Sequence, residues 1–183
     1  QKVMANMQIS GSVSGMHGVF KDMNDAINAS IEAQKKVCTM TLDQREQIIS
    51  LIRKKTHENA EILANMGVNE TGMGNVGDKI LKHHLTADKV PGTEDISTIA
   101  WSGDRGLTLV EMGPFGVIGA ITPATNPSET VICNCIGMLA GGNTVVFNPH
   151  PNAKKTTIYT INMINEASIE AGGPDNIAVT VEA

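Results

Sequence analysis

Two polar turns hold the residues whose types suit ligand chemistry: Thr122-Pro123-Ala124-Thr125-Asn126 and Asn148-Pro149-His150. Each follows a short apolar run, Val117 to Ile121 and Thr144 to Phe147, so Thr122, Thr125, Asn126, Asn148 and His150 fall at strand ends. In an open α/β sheet, ligands bind in the crevice outside the carboxyl ends of the strands. Asn126 also suits the cap of a helix beginning at Pro127, and His150 reads equally as a ligand contact or a polar turn residue. Lys154 and Lys155 place two cations in the first turn of a following helix, against its dipole. A nearby anion would explain them, and so would simple solvation at the surface. Cys133-x-Cys135 lacks metal spacing, and His83-His84 has no Cys or His partner at a ligand interval. No G-x-G-x-x-G follows a strand, so the familiar pyrophosphate fingerprint is absent.

The elements that must carry these turns form a strand, helix, strand unit. Val117 to Ile121 is apolar and partly β-branched without polar alternation, which suits a strand buried on both faces of a parallel sheet. Pro127 sits where a helix can start, because the first turn has no use for its missing N–H. Val131, Ile132, Cys135, Ile136, Met138 and Leu139 then give an almost wholly apolar helix that Gly141-Gly142 stops. Thr144 to Phe147 is the second strand. Asn152 to Ala171 is the next helix, and Ile177 to Val181 a third strand whose outer edge is expected to be unpaired.

Upstream, residues 1–18 read as a flexible tail rich in Ser, Gly and Met, in which Val3, Met4, Met7 and Ile9 also fit the end of an amphipathic helix docked on a partner. Helical periodicity begins after Asp22, with Met23, Ala26, Ile27, Ala33 and Val37. Thr41-x-x-Gln44 is a capping box for a second helix bearing Ile48, Ile49 and Ile52, with Arg53, Lys54 and Lys55 near its end. A third helix carries Ala60, Ile62, Leu63 and Met66 and closes before Gly72. A fourth, Asn75 to Val90, is expected to face Val76, Ile80, Leu81 and Leu85 inward and Asp78, Lys79, Lys82 and His83 outward. Ile96 to Trp101 and Leu107 to Met112 flank a turn-rich segment as a β-hairpin with one solvated face.

Composition bounds the function. Asp plus Glu number 19 against 14 Lys plus Arg, and the net charge of -5 argues against a nucleic-acid partner. No apolar run approaches the ~20 residues that span a bilayer, and no secretory signal is apparent, so a cytoplasmic protein without a membrane partner is expected. Three cysteines, two of them inside the apolar helix, make no disulfide framework. With aromatic residues at 3%, Leu, Ile, Val, Met and Ala must fill the core.

Gly113-Pro-Phe-Gly-Val-Ile-Gly-Ala-Ile-Thr-Pro-Ala-Thr-Asn-Pro127, followed by Ala140-Gly-Gly-Asn-Thr-Val-Val-Phe-Asn-Pro-His-Pro151, resembles the aldehyde dehydrogenase superfamily. Glu70-Thr-Gly-Met-Gly, Asp78-Lys-Ile-Leu-Lys, Pro91-Gly-Thr-Glu-Asp and Trp101-Ser-Gly-Asp-Arg-Gly-Leu-Thr extend the likeness over nearly everything from Gly18 onward. The nearest branch is the CoA-acylating propionaldehyde and butyraldehyde dehydrogenases of bacterial microcompartments. The resemblance implies an α/β fold in which amino-terminal helices and a β-hairpin lead into the first half of a Rossmann-like parallel sheet. The implied organisation is a tail over 1–18, helices and hairpin over 19–112, and an incomplete nucleotide-binding domain over 113–183.

It further implies an oxidoreductase that converts a short-chain aldehyde, NAD and coenzyme A to acyl-CoA and NADH through a cysteine thioester. That cysteine lies beyond the matched region, so the chain looks like the amino-terminal part of such an enzyme and is expected to be inactive alone. Cys133 and Cys135 behave as small hydrophobes. Asn126 matches the family's asparagine whose amide helps hold the oxyanion, as a neutral donor fixed by Pro127 can. Thr122, Pro123, Ala124, Thr125, Asn148, Pro149 and His150 match the cofactor crevice. Asn148 and Pro151 stand where hydrolytic relatives carry the Lys and Glu that grip ribose, a departure that suits a site accepting NAD and then CoA. The likeness also implies a homo-oligomer at full length, a microcompartment lumen as location and an amino-terminal peptide that meets the shell. A non-catalytic nucleotide-binding or scaffold module of the same fold is the competing reading.

Overall fold

The computed structural model describes residues 15–182; residues 1–14, most of the expected tail, lie outside the described residues. In chain order the elements are β1 (Val19–Phe20), α1 (Met23–Val37), α2 (Leu42–Thr71), α3 (Val76–Lys89), β2 (Ile99–Gly103) and β3 (Gly106–Val110). They continue as β4 (Val117–Ile121), α4 (Pro127–Ala140), β5 (Thr144–Asn148), α5 (Lys154–Glu170) and β6 (Ala178–Val181). The sheet runs β1-β6-β5-β4 with every neighbouring pair parallel, and β2 pairs with β3 as a separate antiparallel hairpin. The expected α/β class, parallel sheet and hairpin are therefore present.

Strand alternation sorts the core into two layers. Val145 and Phe147 of β5 join Ile48, Ile49 and Ile52 of α2, Ile132 and Ile136 of α4, and Ile161 and Ile164 of α5. Val146, between them, faces the other way and packs with Val179, Phe20 and the small face of α1, Ala26 and Ala29. Apart from Phe20 and Phe147, the largest fully buried side chains are Ile and Leu, as the shortage of aromatics demands. α1 is capped by Asp22, which accepts from the backbone N–H groups of Asn24 and Asp25.

Several expectations are corrected. The second and third helices are one, α2, of 30 residues and about 45 Å. The Thr41 capping box starts it as expected, but nothing between Arg53 and Ala60 stops it, since no Gly or Pro intervenes. It ends only at Gly72, whose φ of 68° is the left-handed cap that Gly alone adopts cheaply. β6 does not present a bare edge: β1 pairs with it, Val19 opposite Thr180 and Phe20 opposite Val181. A strand of two residues is too short to leave a periodic signal. Gly18 lets it dock, having a φ of 74° and so little space that an added Cβ would lie 2.4 Å from the Ala178 carbonyl oxygen.

β4 is not buried on both faces either, because it is the outer strand of the sheet, and Ile121 is 83% exposed. The whole β2–β3 hairpin is exposed rather than one face of it, including Trp101, Leu107 and Leu109. This much uncovered apolar surface, together with the open edge of β4, should make the isolated chain associate with itself. Light scattering across a concentration series is expected to report a mass that climbs with concentration; a constant monomer mass would refute this.

Candidate functional site at the carboxyl ends of β4 and β5

β4 and β5 run in register from Val117 opposite Thr144 to Ile121 opposite Asn148. The pairing continues one step into the turn, where the Thr122 N–H donates to the Asn148 carbonyl at 3.1 Å. The two polar turns singled out from the sequence are thereby held side by side. Thr122 is fully buried, and its Oγ1 has no hydrogen-bond partner among the described residues. Ala124 and Pro149 are buried, whereas Pro123, Thr125 and Asn148 are exposed. His150 is drawn into its own turn: its Nδ1 accepts from the Asn152 N–H at 3.1 Å and caps the short 3-10 turn Pro151–Ala153. The imidazole keeps only Nε2 for anything else.

Asn126 begins α4 through its backbone, whose carbonyl accepts from the Thr130 N–H at 3.1 Å, but its side chain makes no capping bond. Instead the Lys82 Nζ donates to the Asn126 Oδ1 at 2.9 Å. Among the described residues the Asn126 Nδ2 has no partner, so the NH₂ donor is available while the oxygen is committed.

Beneath the turn lies a buried polar cluster that includes Lys79 and His83, both expected on the solvent side of α3. Lys79 and Glu129 form an ion pair at 3.3 Å with side chains 5% and 6% exposed. The same ammonium donates to the Thr125 carbonyl at 2.9 Å. His83, fully buried, donates from Nδ1 to the Lys79 carbonyl at 2.7 Å and meets the Ser128 hydroxyl through Nε2 at 2.8 Å. Burial lowers the pKa of His83 against the pull of Glu129, so the ring is neutral and Nε2 accepts. Ser128, with one proton, gives it to His83 and leaves Glu129, 3.1 Å away, to Lys79.

The expected orientation of α3 is thus corrected in part: Asp78 and Lys82 are exposed as expected, and Val76 and Ile80 are partly buried. Leu81 and Leu85 are exposed, while Lys79 and His83 point into the protein. Reading apolar residues as inward failed because the face of α3 that meets the turn is chosen by its polar partners: Thr125, Ser128 and Glu129 at the amino end of α4. Lys79, Lys82 and His83 do share a helical face by spacing, which was the available signal.

The first turn of α5 binds an anion of this chain through its backbone, although neither the Lys154 nor the Lys155 ammonium forms an ion pair among the described residues. The Glu70 carboxylate accepts from the N–H groups of Lys155 and Thr156 at 2.7 and 2.8 Å and from the Thr156 hydroxyl at 2.7 Å. The helix terminus is therefore satisfied within the chain. Cys135 is buried, and desolvation pushes its thiol up to about 12; burial raises the Cys133 thiol as well. Raised thiols are poor nucleophiles; the expected packing role holds for Cys135 but not for Cys133, which is exposed on α4. Among the described residues no group of three His, Cys, Asp or Glu is placed to hold a metal ion.

The model of the aldehyde dehydrogenase family matches residues 9–181. The chain belongs to the aldehyde dehydrogenase family. It is 50% identical over 173 residues to an acetylating acetaldehyde dehydrogenase of Bilophila wadsworthia, covering 94% of this chain and 35% of that protein. Its fold matches a propionaldehyde dehydrogenase from the fucose utilisation bacterial microcompartment of Clostridium phytofermentans with a TM-score of 0.89 and 73% identity, covering 91% of this chain and 38% of that one. It also matches a Rhodopseudomonas palustris propionaldehyde dehydrogenase solved with bound CoA and an acylated cysteine, at 47% identity and a TM-score of 0.87, covering 90% of this chain and 38% of that one. The chain thus spans well under half the length of these relatives. No helix among the described residues is long and apolar enough to cross a membrane.

Proposed function

We propose that the chain is the amino-terminal part of a CoA-acylating aldehyde dehydrogenase that oxidises a short-chain aldehyde to its acyl-CoA, with NAD as oxidant and a cysteine of the remaining sequence as nucleophile. The observation that carries this reading is the state of Asn126: a side-chain amide at the carboxyl end of β4, uncommitted as a helix cap, with its oxygen tied to Lys82 and its NH₂ free. Such a donor stabilises negative charge that develops on the former carbonyl oxygen, and does so more in the transition state than in the ground state.

The crevice residues fit a dinucleotide. The unpartnered Thr122 hydroxyl is a buried polar group awaiting a partner, and Asn148 and His150 supply polar groups at the neighbouring strand end. Thr122 to Thr125 and Asn148 to His150 are the residues that would hold NAD and afterwards CoA. When bound, NAD takes up the hydride and CoA takes over the acyl group. The chain's own residues orient the aldehyde oxygen, through Asn126, and keep the turn rigid, through Lys79 and Glu129. A homo-oligomer in a microcompartment lumen, reached through an amino-terminal peptide, completes the proposal.

The test is NADH formation from propionaldehyde and CoA. The full-length gene product should produce NADH only when both substrates are present, and residues 1–183 alone should give a flat trace. A full-length protein that binds NAD without turnover would favour the scaffold reading. Turnover by residues 1–183 that vanishes with Cys133→Ala or Cys135→Ala would overturn the assignment of the nucleophile.

A further inference from the structure

We propose that Lys82 is a positioning residue that sets the orientation of the Asn126 amide; this rests on the oxyanion reading of Asn126. An asparagine side chain has two nearly isosteric ends, an acceptor oxygen and a donor NH₂, and the backbone does not choose which end faces the crevice. A free amide would sample both orientations, and in one of them the carbonyl dipole would repel a developing oxyanion. An ammonium settles the choice because it only donates: with Lys82 Nζ 2.9 Å from Oδ1, a flipped amide would set NH₂ against NH₃⁺. The oxygen is therefore held toward α3, and the NH₂ is directed away from it.

The position of Lys82 is itself fixed. Lys79, one turn earlier on the same helix, is buried and bound to the Thr125 carbonyl, the residue immediately before Asn126. His83, next to Lys82, is bound to Ser128, two residues after Asn126. α3 is thus clamped on both sides of the asparagine, and Lys82 between the clamps reaches the side chain itself. The charge-assisted bond to Oδ1 also polarises the amide, which strengthens the N–H donors at its other end. Lys82 is exposed and its ammonium makes no other hydrogen bond among the described residues, so removing it leaves the clamps in place.

The inference is tested in the full-length enzyme with Lys82→Met, Lys82→Arg, Asn126→Ala and the Lys82→Met/Asn126→Ala double variant. Lys82→Met should lower kcat by about 10- to 100-fold, the loss expected when a hydrogen bond to a charged group is removed, with the NAD dissociation constant, the aldehyde KM and the melting temperature unchanged. Lys82→Arg, still donor-only, should recover most of the rate. In the Asn126→Ala background Lys82→Met should cost nothing further, since the residue it orients is gone. Wild-type turnover in Lys82→Met, or the same fractional loss in both backgrounds, overturns the inference. If Asn126→Ala is slow while Lys82→Met is not, this inference alone fails. If Asn126→Ala turns over normally, the oxyanion reading fails and takes this inference with it.

Discussion

Replacing Asn126 by alanine in the full-length enzyme should lower turnover by about 10²–10³, the usual cost of one preorganised oxyanion donor. The loss should appear in kcat and in kcat/KM alike, because the amide acts on charge that exists only in the transition state. NAD affinity should stay close to normal. So should stability: the side chain makes no capping bond, and the backbone carbonyl that does begin α4 survives the substitution. A capping residue would behave in the opposite way, with about 1 kcal/mol of stability lost and chemistry intact. Thermal unfolding, NAD titration and steady-state kinetics on the same variant separate the two. A destabilised enzyme with near-normal turnover would sink the catalytic assignment.

Glu129→Gln should be the most destabilising conservative change in the polar cluster. It keeps the shape and one acceptor but strips the Lys79 ammonium of its counter-charge in a site where both side chains are about 95% buried. Breaking a buried pair from one side typically costs about 3–5 kcal/mol, because the remaining charge is stranded. Removing both partners with apolar side chains of similar volume, as in Lys79→Met/Glu129→Leu, should recover much of that loss. The double variant would still lack the Lys79 bond to the Thr125 carbonyl, so backbone amides around residues 122–130 should exchange faster than in wild type. Urea unfolding with hydrogen exchange over that turn makes both comparisons. Glu129→Gln unfolding at the wild-type urea concentration would show that the pair contributes nothing to the fold.

The clamp on the turn and the half-buried Asn126 amide divide their tasks across α3 and α4. Asn126 can be strained or mobile only within limits set by Thr125 and Ser128, each held by a buried group on α3. The stiff partners are charged or polar rather than apolar, which ties the position of the turn to directional bonds instead of to packing alone. α4 itself is apolar and anchored in the core through Ile132, Ile136 and Leu139, so its first turn has little freedom to drift.

The parallel strand, helix, strand unit, the capping box at Thr41, the stop at Gly72 and the placing of Thr122, Asn126 and Asn148 at strand ends are legible without the fold. Those features rest on local rules: side-chain periodicity, turn chemistry and capping act within a few residues. Local rules could not decide which face of α3 is inside. Leu81 and Leu85 looked inward by hydrophobicity, yet Lys79 and His83 are buried because partners 50 and 45 residues away satisfy them. Nor could they show that Val19 and Phe20 form a strand, since its partner, β6, lies at the other end of the chain. The absence of a break in α2 is legible, but its two apolar stripes look the same whether one helix or two carry them. Whether the Asn126 side chain caps α4 was likewise open in the sequence; in the structure it makes no capping bond. Only the tertiary structure brings the Lys82 ammonium from 44 residues away to the amide oxygen and leaves the other end of the amide free.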